Sequence, residues 1–311
     1  MRLPSWLQKI LAFVLSAVSL LAAIGPVTFT PLDEENLKLN FAVVADTHIE
    51  PGKAANRTSL LAKGLRDMSK ASVPADAFII AGDMTESGTI PEYITLGATL
   101  KAFAKADNLL LEMGNHDIRG KSVDGKYTQN YEFAAGKYFE FLQRTAGIAE
   151  ETIYFYRVIN GCYFIVLNTE GVLGLATVLS AEQLQWVDDL LAEAALSGNP
   201  AFIINHQSMT SIGEAAGQLD AIMQKYSGAL DIFYICGHHH RGFSANSIKN
   251  QGTVYYVDIP SFGKTPGSGY NEVGTGLQVE LYEDEIIFRA RNFAKGEWLA
   301  EFDRTITLID D

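Results

Sequence analysis

Leu37-Lys38-Leu39-Asn40-Phe41-Ala42-Val43-Val44-Ala45-Asp46 reads as a strand that enters a core and ends on an acid, with Thr47 and His48 following at once. The pattern returns twice. Residues 77–83 form a second apolar run closed by Gly82-Asp83, and residues 108–114 a third that leads into Asn115, His116 and Asp117. Between the strands, residues 56–71 place Leu60, Leu61, Leu65 and Met68 at helical spacing, and residues 93–106 read as a second helix. Strand–helix–strand–helix–strand predicts a parallel α/β core, and such sheets gather ligands at the carboxyl ends of their strands.

Downstream, Asn160-Gly161 between residues 154–158 and 162–168 is a hairpin signal. Ser180 is a cap candidate for an amphipathic helix over 181–196, and a partly helical stretch is expected at 133–145. Two short buried strands, 201–205 and 232–236, are each followed closely by histidine. Residues 253–259, 276–282, 285–293 and 305–309 alternate in strand fashion. The simplest architecture is a second sheet, built partly from these late strands, packed on the first. One catalytic domain spans 37–311.

All six histidines fall in four clusters at predicted strand ends: His48, His116, His206, and the run His238, His239, His240 after Gly237. Histidine used as general filler would scatter over surface helices and loops. Neutral imidazole beside carboxylate and amide oxygen is the ligand set of a divalent transition metal. Asp46 and His48 lie two apart, so in an extended strand end both point the same way and can grip one ion. Asp83 has two oxygens and can bridge two ions. Asn115, His206, His238 and His240 bring the set beyond what one tetrahedral ion uses, which points to a two-metal site with ions about 3.5–4 Å apart. The clusters contain no cysteine, which argues against a structural zinc site. Asp46 and Asp83 as helix caps, or His206 as a core histidine, are readings that hold only when each residue is taken alone. Arg119, Lys121 and Lys126 read as solvated charges, with phosphate or substrate contacts as the other reading, and Tyr127, Tyr131, Phe133 and Tyr138 as packing residues, with a base-stacking platform as the other.

The formal net charge of −13 disfavours a nucleic-acid polymer as partner, which would require a basic patch. A small phosphate ester remains compatible, because bound cations supply positive charge locally. Cys162 and Cys236 sit in apolar runs and read as buried small hydrophobes, with a disulfide between them left open. Residues 1–25 differ from the rest: Arg2 and Lys9 precede an uncharged run from Ile10 to Gly25. That is the pattern of a signal peptide, or of an N-terminal membrane anchor acting through residues 10–25, with 26–36 as a linker. Export to the periplasm, cell surface or medium is the expectation.

The ordered combination D-x-H at Asp46–His48, G-D at Gly82-Asp83, G-N-H-D at Gly114–Asp117, His206, and G-H-x-H at Gly237–His240 resembles the calcineurin-like metallophosphoesterase superfamily. The resemblance runs from about Leu39 to about Ser261. It implies an α/β fold in which a two-sheet β-sandwich flanked by helices (αββα) holds a dinuclear centre. Carried over by motif, one ion takes Asp46, His48, Asp83 and His240. The other takes Asp83, Asn115, His206 and His238, with Asp83 shared. His116 faces the substrate as the acid that assists the leaving group, and Asp117 orients His116 through a hydrogen bond. His239 is a spacer. The chain departs from the family in His206-Gln207-Ser208, where a proline is frequent two residues after the histidine.

The implied reaction is hydrolysis of a small phosphodiester or phosphomonoester by direct attack of a metal-bridging hydroxide. The ions are Mn, Fe, Zn or Co. Glu86 stands where purple acid phosphatases carry an iron-bound tyrosine, so that type is disfavoured. The run Gly82-Asp83-Met84-Thr85-Glu86-Ser87-Gly88, then Glu92-Tyr93 and Gln183-Leu184-Gln185-Trp186, looks like the class III cyclic-nucleotide phosphodiesterase branch. A nucleotidase or nucleotide-sugar pyrophosphatase is the enzymatic alternative, and a non-catalytic metal-binding protein of the same fold is the other.

Overall fold

The computed structural model describes residues 27–309 except 125 and 172–175, so the expected export or anchor segment at 1–25 lies outside the described residues. Strands β1 (Leu39–Val44), β2 (Ala77–Ile80) and β3 (Asn108–Leu111) pair in parallel, joined by helices α1 (Ala55–Met68) and α2 (Ile90–Phe103). β1 and β2 are buried along their whole length, as strands covered on both faces must be. Helix α2 begins three residues earlier than the apolar spacing predicts. Thr89 and Glu92 form a capping box, with Pro91 in the first turn.

Next come the short helix α3 (Asn115–Arg119), a small hairpin of β4 (Ser122–Val123) and β5 (Lys126–Tyr127), and α4 (Tyr131–Ala146). The hairpin of β6 (Phe155–Ile159) and β7 (Cys162–Val166) turns at Asn160 (φ 49°) and Gly161 (φ 84°), the left-handed pair that a two-residue turn requires. Helix α5 (Ala181–Ala195) starts where Ser180 accepts the Gln183 N–H. Strands β8 (Ala201–Ile204) and β9 (Ile232–Cys236), separated by α6 (Ala216–Lys225), complete the parallel centre of the second sheet.

The late strands divide between the sheets. β10 (Ile248–Gln251) and β11 (Val254–Asp258) join β9. β12 (Thr275–Leu281) instead pairs antiparallel with β1, and β13 (Glu285–Asn292) pairs with β12. β14 (Glu297–Trp298) and β15 (Arg304–Thr307) then pair with β13. Most late strands therefore extend the first sheet, which is mixed rather than wholly parallel. Alternation reports which face a residue occupies; it carries no information about which strand will be the neighbour.

The second sheet sends its two faces into separate cores. Phe164, Phe202, Ile204, Phe233 and Ile235 face the first sheet, while Ile165, Ala201, Ile203, Ile232 and Tyr234 pack under α5 and α6. Between the sheets, Phe41 meets Phe164 and Phe202 with ring centroids 5.2 and 5.0 Å apart, and Phe233 meets Phe288 at 5.3 Å. Each such side chain contributes about 1.5–3 kcal/mol by leaving water, and together they lock the two sheets face to face. Cys162 and Cys236 are buried, unbridged, and point into different cores. Residues 27–36, expected as a linker, lie against the domain. Phe29 is buried edge-on to Trp298 at 5.3 Å, and Arg289 donates to the Thr30 carbonyl. Among the described residues no helix is long and apolar enough to cross a membrane.

Candidate metal centre

The carboxyl ends of β1, β2 and β3 meet those of β8 and β9, and each delivers one motif. Backbone bonds continue the strand pairing into the loops: Asp46 N–H donates to Gly82 O, His48 N–H to Asp83 O, and Gly237 N–H to His206 O. Asp46, His48, Asp83, His238 and His240 all adopt positive φ, between 46° and 74°. The other described non-glycine residues of that kind, Asp124 and Asn160, turn hairpins. Left-handed backbone at a side-chain-bearing residue costs free energy and persists where the surroundings enforce it. Here it turns five ligand candidates toward one point. Two motif glycines provide clearance: a Cβ on Gly82 would sit 2.4 Å from the His206 ring, and one on Gly114 2.2 Å from Asp83 Oδ1.

Asp46, His48, Asp83 and His240 converge so that one donor atom from each lies within 4.8 Å of the others. His48 Nε2 is 2.9 Å from His240 Nε2, and His240 Nε2 is 3.2 Å from Asp46 Oδ1. On the other side of Asp83, His206 Nε2 is 3.3 Å from Oδ2 and His238 Nδ1 is 2.9 Å from Asn115 Oδ1. The His206 Nδ1–H donates to Ala81 O at 2.9 Å, which leaves its Nε2 lone pair facing the carboxylate. Asp46 Oδ1 and His206 Nε2 are buried with no hydrogen-bond partner. Buried acceptors are seldom left unpaired, and a set of them aimed at each other fits a cation. The residues present therefore suit a metal.

The electrostatics agree. Burial alone would raise the Asp83 carboxyl, but the charge of His206 and its neighbours holds it well below the usual range. Burial alone would lower His206, yet the Asp83 and Asp46 charges push it up to about 10. Without a cation, these carboxylates draw protons onto histidine instead.

His116 presents its ring at the rim. Its Nδ1–H donates to Glu86 O at 2.7 Å, its Nε2 accepts from Arg119, and Nε2 lies 4.0 Å from Asp83 Oδ2. Burial pushes the imidazole down to about 4. The hydrogen bond expected from Asp117 to His116 is replaced by others. Asp117 accepts from Gly114, Met84 and Thr85 N–H and from the Thr85 hydroxyl, stapling the G-N-H-D loop to the loop after β2. Neighbours one apart on a helix do not face each other, which is why Asp117 cannot serve His116. His239, the spacer, bonds Ser208 Oγ at 2.7 Å, outside the ligand cluster.

Several contributors lie outside the ligand set that the motifs supply. Glu112 is buried and accepts the His206 N–H, and burial raises its carboxyl well above the usual range. Asn168 Oδ1 accepts the Met113 N–H, and Gln183 bonds the Asn168 backbone through both ends of its amide. Glu86 lies 3.4 Å from His48 Nδ1 and is gripped by Arg57 at 2.6 Å and Lys264 at 3.2 Å. For Glu112 the available signal was a glutamate interrupting an apolar run, Leu109-Leu110-Leu111-Glu112. A separate cavity of about 540 Å³, lined by Lys38, Asn199, Asp231 and Glu283, opens at the amino ends of β1, β8 and β9. No histidine lines it.

The profile of the calcineurin-like phosphoesterase family matches residues 39–242. The chain belongs to that family. No curated protein matches it in sequence. Among solved structures, this calcineurin-like phosphoesterase is similar to a dimetal phosphatase from Danio rerio, with 14% identity, a TM-score of 0.61, and 88% of this chain and 100% of that one covered. It is similar also to the purple acid phosphatase PPD1 from yellow lupin (Lupinus luteus) seeds, with 14% identity, a TM-score of 0.61, and 86% of this chain and 53% of that one covered. At such identities the likeness shows the fold. The family match and the Asp/His cluster identify a phosphoesterase hydrolase that binds metal.

Proposed function

We propose that the chain hydrolyses small phosphodiesters or phosphomonoesters at a centre of two divalent ions. One ion is held by Asp46, His48, Asp83 and His240, the other by Asp83, Asn115, His206 and His238. The observation that carries this reading is the convergence of buried Asp46, His48 and Asp83 with His240, one ligand atom from each within 4.8 Å of the others, with His206 Nε2 3.3 Å from Asp83 Oδ2 on the other side. When bound, the ions supply Lewis acidity toward phosphoryl oxygens and lower the pKa of a coordinated water to near neutrality.

The chain's own residues do the rest. Asp83 Oδ1 accepts the His116 N–H, so the shared ligand also sets the position of the residue that faces substrate. Asp117 keeps the two loops in register, and Glu112 fixes the His206 backbone. The run from Gly82 to Gly88 supports placement near the class III cyclic-nucleotide phosphodiesterase branch. The uncharged segment 10–25 supports action outside the cytoplasm, on soluble phosphoesters.

The test is turnover of bis-p-nitrophenyl phosphate and p-nitrophenyl phosphate with added manganese, iron, zinc or cobalt. The expected result is metal-dependent hydrolysis that a chelator removes, with the ratio of the two rates separating diesterase from monoesterase. Absence of turnover on both, at saturating levels of each metal, would refute the proposal.

A further inference from the structure

Among the described residues, three carboxylate oxygens are buried without a hydrogen-bond partner: Asp46 Oδ1, Glu112 Oε2 and Asp231 Oδ1. The first two belong to the strand-end centre. Asp231 stands at the opposite end of the second sheet, one residue before β9, where it lines the cavity of about 540 Å³. The side chain is held in place: Oδ2 accepts the Ile309 N–H at 2.9 Å, and the residue is 3% exposed. Burial pushes its carboxyl up, with the Ile309 N–H opposing the shift. Lys38, the basic residue among the described lining, is engaged by Glu283 at 2.5 Å. Buried acceptors are seldom left unpaired, so Asp231 Oδ1 calls for a donor that comes from outside the chain.

The surroundings define that donor. Leu230, Leu281 and Leu308 line the same cavity, which suits a chain of methylenes. Glu283 and Asp284, both exposed, line it as well. A second cleft of about 400 Å³ shares these two acids and adds Asp33 and Glu285. Five carboxylates thus lead outward from Asp231, against the one amine of Lys38. Both volumes fall in the range of small-molecule sites, about 300–1,000 Å³. We propose that this cleft binds a linear polyamine, with a terminal ammonium donating to Asp231 Oδ1, the alkyl stem against the leucines, and further ammonium groups along Glu283, Asp284 and Asp33. An ammonium offers three donors on a narrow apolar stem, so it reaches a confined acid more readily than the planar fork of a guanidinium. A lone metal ion would leave the leucines and most of the volume unused. The site shares no residue with the strand-end centre and does not depend on the phosphoesterase reading.

The test is calorimetric titration of the full chain, metal-free and metal-loaded, with spermidine, putrescine, n-butylamine and the uncharged n-butanol. Saturable spermidine binding is expected in both states, weaker for putrescine, weaker again for n-butylamine and absent for n-butanol. Asp231→Asn keeps an acceptor for the Ile309 N–H and should weaken spermidine binding by about 10-fold or more, the scale of one hydrogen bond to a charged group. Ala229→Trp, at an exposed position of the lining, should fill the cavity and abolish saturable binding. Thermal unfolding shows whether each variant is folded, and if Asp231→Asn is not, Ala229→Trp decides alone. Wild type that fails to bind spermidine saturably, or binds n-butanol as tightly, would overturn the proposal. Equal spermidine affinity in wild type and the folded variants would overturn it too, marking a diffuse attraction to a chain of net charge −13.

Discussion

Carboxylates are buried at two places in this molecule, and the fold treats them differently. On the outer side of the first sheet, Asp67 receives Arg291 through two bonds of 2.6 and 2.9 Å, and Glu280 receives Arg289 at 2.6 Å. Trp298 lies over both guanidinium groups, at 3.8 and 4.5 Å. There the chain supplies its own cations. At the strand ends, Asp46 and Asp83 are equally buried but face imidazole and each other's neighbours, with no arginine or lysine bonded to them among the described residues. Burying a charge without a counter-charge is costly, so the second arrangement makes physical sense when the positive charge arrives from solution. The contrast separates a structural ion pair from a binding site without reference to any relative.

The sharpest way to break the contrast is Asp83→Asn. Removing the carboxylate proposed to be shared should abolish metal binding and lower kcat by more than the roughly 100-fold typical of losing a residue that only supports a ligand. Elemental analysis and turnover of bis-p-nitrophenyl phosphate measure both. The wild type should gain thermal stability on adding metal, and the variant should not. Normal metal content in Asp83→Asn would mean that the strand-end acids are not ligands.

Arg291→Met tests the other side. Leaving Asp67 buried and alone should cost about 3–5 kcal/mol in a urea titration, with metal content per folded molecule unchanged. The double change Asp67→Leu, Arg291→Met should restore most of that loss, as expected of a pair whose role is structural. A smaller effect is expected at Glu112. Glu112→Gln keeps an acceptor for the His206 N–H and should hold metal affinity within about 3-fold, whereas Glu112→Ala should weaken it by about 10–100-fold. Equal affinity in the two variants would show that the Glu112 contact does not position His206.

Much of this was legible in the residues themselves. Strands that end on Asp46 and Asp83 announce both the buried parallel centre and the place where ligands gather. Histidine is scarce enough that His48, His206, His238 and His240 stand out. The partner of each late strand was not legible, because alternation fixes a face and leaves the neighbour to tertiary packing. The start of α2 was hidden because its capping box precedes the apolar spacing. Asp117 was given the wrong partner because its role was carried over by motif, whereas its oxygens reach the loop 32 and 33 positions back.

Asp83 is bonded at both ends of its carboxylate: Oδ2 faces the histidines, and Oδ1 takes the backbone of the residue that carries His116. Whatever Oδ2 holds is therefore linked, through a single carboxylate, to the backbone of the short helix that carries His116.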